Sequence, residues 1–167
     1  METNLFGRLN SIETIAFLCT KNDVDRFLIT IPNPYSETKT IDLYLTPKNS
    51  ADIEIDTSTS SPYIKINYKF IGRIDSMSED SKYLTSEVLD VISSACSDYL
   101  KNIFIDSLYK TSKEFKSDIC GLGIYSFKNF ATTKEFEDYN WLENYKNAFF
   151  DVNVDTSIKS GMLITET

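Results

Sequence analysis

From residue 84 to residue 115 neither proline nor glycine interrupts the chain, and apolar residues recur at three- and four-residue steps. Leu84, Val88, Val91, Ile92, Ala95, Tyr99, Leu100, Ile103, Phe104 and Leu108 form the series, a spacing that keeps one face of an α-helix apolar. At about 1.5 Å per residue the helix is roughly 45 Å long. Glu87 and Asp90 lie early in it and Lys110, Lys113 and Lys116 late, the distribution the helix dipole favours. Everything else in the chain has to be laid against this element.

What precedes it reads as strands. Phe27, Ile29 and Ile31 share one side of residues 26–31, and Ile41, Leu43 and Leu45 alternate with Asp42, Tyr44 and Thr46. Residues 52–56 alternate in the same way. In residues 63–71, Ile64, Ile66, Tyr68 and Phe70 oppose Lys65, Asn67 and Lys69, as a strand with one solvated face requires. Pro32-Asn33-Pro34 follows the Phe27–Ile31 run, and because proline donates no backbone hydrogen bond the strand is expected to stop there, with a domain boundary at the same place. A second, polar break at residues 75–81 precedes the change to helical period.

After the long helix, Asp118 is placed to cap a shorter one carrying Ile119, Leu122, Gly123, Phe127 and Phe130 on one face, although glycines at 121 and 123 leave a loop or strand open over residues 118–124. A second short helix follows Thr132-Thr133, with Phe136, Trp141, Tyr145 and Phe149 as candidate inward residues. Phe150, Val152, Val154, Thr156 and Ile158 then alternate with polar residues as a half-buried strand. Strands grouped before helices, with one strand returning, predict an α+β fold. Its sheet, mainly antiparallel or mixed and of about four strands, carries one long and two shorter helices.

Composition removes whole classes of chemistry. The 167 residues contain no histidine, which excludes Ser/His/Asp and Cys/His catalysis and the commonest zinc ligand. A formal net charge of −8 argues against nucleic acid as a partner, since that binding neutralises phosphates with Lys and Arg. Cys19, Cys96 and Cys120 are odd in number, far apart and flanked by apolar residues, and read as buried free thiols. Ala16-Phe17-Leu18-Cys19 has the outline of a lipoprotein processing site, but residues 1–10 supply neither a positive start nor an apolar run before it. No segment approaches the ~20 apolar residues of a membrane span, so the chain as given reads as soluble.

The remaining motifs point to structure more than to chemistry. Gly121-Leu122-Gly123 lacks the third glycine of a dinucleotide fingerprint, Ser126 standing in its place. Asp52, Glu54 and Asp56, like Asp151, Asn153 and Asp155, have oxygen-ligand spacing for a hard cation, yet strand alternation puts both sets on solvated faces. No cofactor and no metal is expected. The aromatic series Phe127, Phe130, Phe136, Tyr139, Trp141, Tyr145, Phe149 and Phe150 reads as core, part of which is available to a binding surface.

The order of these motifs resembles the C-terminal domain of the Ger(x)C family, the C subunits of spore germinant receptors. In that family a long helix leads into Asp-Ile-x-Gly-x-Gly, then an aromatic and charged helix, a Trp-x-x-x-Phe step and a Val-x-Val strand closing on Ile-x-x-x-Gly. Asp118, Ile119, Gly121, Gly123, Phe149, Val152, Val154, Ile158 and Gly161 match in order. Trp141 belongs to the aromatic segment, Tyr145 stands where a tryptophan is common, and Thr133 and Phe136 replace the usual Pro-x-x-Trp. Gly7-Arg8-Leu9 and Glu13-Thr14 resemble the end of the family's preceding domain. Residues 1–34 are therefore expected to be a remnant of that β-containing domain and 35–167 the C-terminal α+β domain.

The resemblance implies a non-enzymatic subunit that contacts membrane-embedded A and B subunits at the outer face of the spore inner membrane. In the full-length family protein a lipid anchor, absent from this chain, holds it there. Asp118, Gly121, Gly123, Trp141, Tyr145, Phe149, Val152, Val154 and Gly161 are its structural or interaction residues. Two other readings rest on the residues alone: a small-molecule binding module around Trp141, for a germinant or sugar, and a carboxylate-dependent hydrolase.

Overall fold

The computed structural model describes residues 7–77 and 85–159, so Leu84 and Gly161 lie outside the described residues. Helix α1 (Ser11–Thr20) leads into strands β1 (Phe27–Asn33), β2 (Ser36–Pro47), β3 (Asp52–Asp56) and β4 (Tyr63–Met77). The long helix α2 (Ser86–Tyr109) continues into a π-helical turn, Lys110–Phe115. Short helices α3 (Gly123–Ser126), α4 (Thr133–Tyr139) and α5 (Trp141–Tyr145) precede the last strand, β5 (Phe149–Lys159). The sheet has five strands in the order β1-β2-β4-β3, with β5 also on β4. No described helix is long and apolar enough to cross a membrane.

The ladders β1–β2, β2–β4 and β3–β4 are antiparallel. Beside β4, the Phe149 N–H donates to the Pro62 carbonyl at 2.9 Å, the Tyr63 hydroxyl to Asp151 at 2.8 Å and the Asn153 side chain to Asn67 at 3.2 Å. Partner numbers rise together, so this pairing is parallel and the sheet mixed. A parallel return needs a long crossover, which α2 and the short helices supply.

The described residues form two compact units. One comprises residues 24–50, 68–77, 85–101 and 154–159. Its interior is Phe27, Ile29 and Ile31 of β1, Ile41, Leu43 and Leu45 of β2, Tyr68 and Phe70 of β4, and Ile92, Cys96 and Leu100 of α2, all buried. A Cβ on Gly72 would lie 2.4 Å from Leu45 Cδ2 and 2.6 Å from Ile158 Cδ1, so glycine leaves room for the ends of both side chains. Ser93 and Ser97 of α2 fasten β5: the Thr156 and Ile158 N–H groups each donate to a serine hydroxyl at 3.0 Å. Backbone donors of β5 are thereby covered by the helix.

Here β1 runs on through Pro32, which pairs with Thr40, to Asn33 opposite Ser36, instead of ending at Ile31 as expected. Proline is tolerated because β1 is last in the strand order, where a missing N–H interrupts no further ladder. The chain then turns at Pro34-Tyr35, with the Tyr35 N–H bonded to Asn33 Oδ1 at 2.9 Å.

The other unit comprises residues 7–23, 51–67 and 102–153. Ile53, Ile55, Ile64 and Ile66 of its strands, Phe104 and Leu108 of α2, and Leu122, Trp141, Tyr145, Phe150 and Val152 are buried. Asp52, Glu54 and Asp56 point outward as their alternation requires. Helix α1 stands in a stretch to which the sequence assigned no element. A capping box starts it, the Glu13 N–H donating to Asn10 Oδ1 at 2.9 Å and the Asn10 N–H to Glu13 at 2.7 Å.

Two further expectations are corrected. The buried line of α2 runs Ile92, Cys96, Leu100, Phe104 and Leu108, every fourth residue, while Val91 is exposed and Tyr99 and Ile103 half-buried at its margins. Phe149 points outward at 59% exposure, because the inward phase of β5 belongs to Phe150, Val152, Thr156 and Ile158. All three cysteines are buried free thiols, and burial pushes Cys19 and Cys96 up to about 12.

Candidate functional site

Asp118 follows the left-handed residue Lys116 (φ 51°) that closes the π-helical turn. Its carboxylate gathers three donors. The Leu122 N–H reaches Oδ1 at 2.9 Å, and Oδ2 accepts the Gly123 N–H at 2.7 Å and the Trp141 indole N–H at 2.9 Å. Gly121 adopts φ +74° between them, a conformation that side chains disfavour. At Gly123 a Cβ would lie 2.7 Å from Trp141 Nε1 and 2.8 Å from Cδ1, so a side chain there would displace the indole. Asp118 does not cap a helix as expected: the N-cap of the short helix Gly123–Ser126 is Leu122, without a side-chain cap bond, and Asp118 instead braces the turn before it. Acceptor, turn glycine, contact glycine and indole thus form one latch.

Tyr145 extends it inward. The ring is fully buried, tilted against Trp141 at a centroid distance of 5.7 Å and edge-on to Phe150 at 6.0 Å. Its hydroxyl shares a 2.7 Å hydrogen bond with Thr111, whose hydroxyl also donates to the Leu108 carbonyl. Burial pushes the phenol well above its ordinary range; the Thr111 bond opposes this and the charge of Asp118 adds to it. Burial likewise, with the Asp118 charge, pushes the Cys120 thiol up to about 12. Both groups stay protonated and inert at neutral pH.

Of the other residues singled out by sequence, Val152 is buried in the same unit, Val154 is half-buried further along β5, and Phe149 faces out. The aromatic series divides. Trp141, Tyr145 and Phe150 are core, whereas Phe127, Phe130, Phe136 and Tyr139 form a chain of ring contacts 5.3–5.5 Å apart on α3 to α4. Phe127 is 45% exposed and Ile124, the residue directly after Gly123, 80% exposed. Sequence reading missed Ile124 as a surface residue and Thr111 as the partner of Tyr145. The signal for Ile124 was its place beyond a cap and two glycines, on a turn too tight to bury every side chain.

Three donors engage the Asp118 carboxylate, which gives it a structural task in the latch. Asp42 is held below the usual carboxylate range by the Ser76 and Thr30 hydroxyls, and Asp56 by the Ser58 N–H and hydroxyl. At Glu13 burial pushes upward, but Lys110, bonded at 2.8 Å, and the Asn10 N–H outweigh it and hold the carboxyl low. A general acid needs the opposite shift. The cavity lined by Ala16, Phe17, Thr20, Leu108, Thr111 and Cys120 has a volume of about 10 Å³, room for about one water. Small-molecule sites are larger by more than an order of magnitude.

The model of the spore germination B3/GerAC-like C-terminal family matches residues 2–162. Among solved structures, the crystal structure of the GerBC protein is similar with a TM-score of 0.75 at 16% identity, over 91% of this chain and 46% of that one. The likeness is one of fold, and the chain spans about half the length of that relative. No curated protein matches the chain.

Proposed function

The chain belongs to the spore germination B3/GerAC-like C-terminal family, and from that premise we propose that it is the C-subunit portion of a nutrient germinant receptor, acting by protein contact and not by catalysis. The family match over residues 2–162 carries this reading. The latch supports it: Asp118, Gly121, Gly123 and Trp141 hold a tight turn whose product is an exposed apolar ridge, Ile124 and Phe127. Exposed apolar residues gathered at one place are the usual material of a contact surface. The ridge meets another receptor subunit, of the membrane-embedded A or B type, at the outer face of the spore inner membrane.

The test is made in the full-length gene. Because both side chains are solvent-exposed, Ile124→Asp with Phe127→Asp should leave protein level and thermal unfolding close to wild type. Co-purification with the A and B subunits should fall, and the germination response to the receptor's nutrient with it. Normal co-purification and germination in the double variant would remove the ridge from the contact. Normal germination on every nutrient after deletion of the gene, in spores with no second receptor, would remove the function itself.

A further inference from the structure

The chain holds three arginines, Arg8, Arg26 and Arg73, and two of them converge on one ring. Arg73 stands directly opposite Tyr44 in the β2–β4 ladder, and Arg26 precedes Phe27, which pairs with Leu45. The guanidinium of Arg26 lies 5.8 Å from the Tyr44 ring centroid and that of Arg73 5.3 Å, both within cation–π range. Neither guanidinium pairs with a carboxylate of the described residues. Strand alternation puts Lys69 and Ile71 on the same face of β4 as Arg73, and Leu28, 46% exposed, sits opposite Tyr44 on β1. Asp42, on this face too, has one oxygen taken by the Thr30 hydroxyl at 2.6 Å and the other by Ser76.

In a protein of net charge −8 this is a local reversal of sign. The phenol holds two planar guanidiniums on one ring, which fixes their position and leaves their N–H donors open to a carboxylate. Beside them stand Leu28, exposed, and Ile71, half-buried. A free small acid binds best in a concave pocket, whereas these residues stand on neighbouring strands of a sheet. Nucleic acid calls for a longer basic track. We propose that the Arg26–Tyr44–Arg73 face of β1, β2 and β4 binds an acidic, extended segment of a partner protein. Its carboxylates take the two guanidiniums and an adjoining apolar side chain lies on Leu28. This proposal rests on residues other than Ile124 and Phe127 and does not depend on the receptor reading.

Titration of the isotope-labelled chain with a short synthetic peptide alternating glutamate and leucine, followed by amide chemical shifts, tests it. Saturable shifts centred on Arg26, Leu28, Tyr44 and Arg73 are expected, with no response to the lysine–leucine counterpart. Raising salt from tens to hundreds of millimolar should weaken binding. The double variant Arg26→Gln with Arg73→Gln, both side chains being exposed, should unfold like wild type and bind about tenfold or more weakly. Shifts that do not saturate, or equal affinity in the double variant, would overturn the proposal. Equal shifts from free glutamate at the same carboxylate concentration would overturn it in favour of a small-anion site. Shifts at these residues that grow with protein concentration alone would give the face to a second copy of the chain.

Discussion

Asn33 and Asp118 each stand ahead of a turn and lend side-chain oxygen to backbone N–H groups downstream. Asn33 serves only Tyr35, two residues on. Asp118 serves Leu122 and Gly123 and then reaches the indole of Trp141, separated by 23 residues. The first turn is solved within its own four residues, 33–36, where asparagine followed by proline already satisfies turn geometry. The second is solved by tertiary structure, and its residues hold one another. A local device has substitutes; in a junction each residue depends on the others, so the acid, the two glycines and the indole have to be kept together.

The largest test of this contrast is Asp118→Ala, which leaves two backbone donors and one indole N–H without their acceptor. Each such loss costs about 1–3 kcal/mol when buried, so with Asp118 half-buried a destabilisation of about 3 kcal/mol is expected. Trp141, the only tryptophan, should report it by red-shifted emission as water reaches the ring. A loss below about 1 kcal/mol would reduce the junction to an ordinary cap. Gly123→Ala comes next. The added Cβ meets the indole at 2.7 Å, and overpacking of this kind costs about 1–3 kcal/mol. The same emission change should accompany it, since the indole is what must move, and an unchanged Trp141 spectrum would show that the backbone yields instead.

The contrast also explains what could be read beforehand. Strand β4 was legible because its burial follows a period of two, Ile64, Ile66, Tyr68 and Phe70, and the long helix because its apolar residues recur. The line of greatest burial in α2 passes through Cys96, a small residue that periodicity weighs little, so Tyr99 and Ile103 at the margins stood in for it. In helix α1 the residues Ile15 to Cys19 are apolar without a break, which masks the period, and its usable signal was the Asn10 and Glu13 spacing of a capping box. Pro32 misled because a proline stops a ladder only where its N–H is needed, and strand order decides that. That Asp118 lends its carboxylate to backbone N–H groups just downstream was legible, although as a turn brace and not as the expected helix cap. Its bond to Trp141, the Thr111–Tyr145 pair and the meeting of Arg26 and Arg73 at Tyr44 were not, since each depends on register or a distant approach that leaves no periodic trace.

The smallest effect is expected at the other turn. Asn33 is 5% exposed, yet the N–H it serves belongs to Tyr35, which is 54% exposed, so water can replace the lost oxygen. Pro34 fixes its own φ without help from Asn33 and keeps the chain turning. Asn33→Ala should therefore cost about 1 kcal/mol or less and leave Trp141 emission unchanged. The β1–β2 register should also hold, because Ile31 opposite Ile41 and Ile29 opposite Leu43 are buried and a one-residue slip would turn the apolar side of β1 outward. Amide exchange across this hairpin measures that register directly. If Asn33→Ala instead costs as much as Asp118→Ala and loosens the hairpin, then Asn33 too holds something beyond its own turn, and the division between a local device and a junction fails.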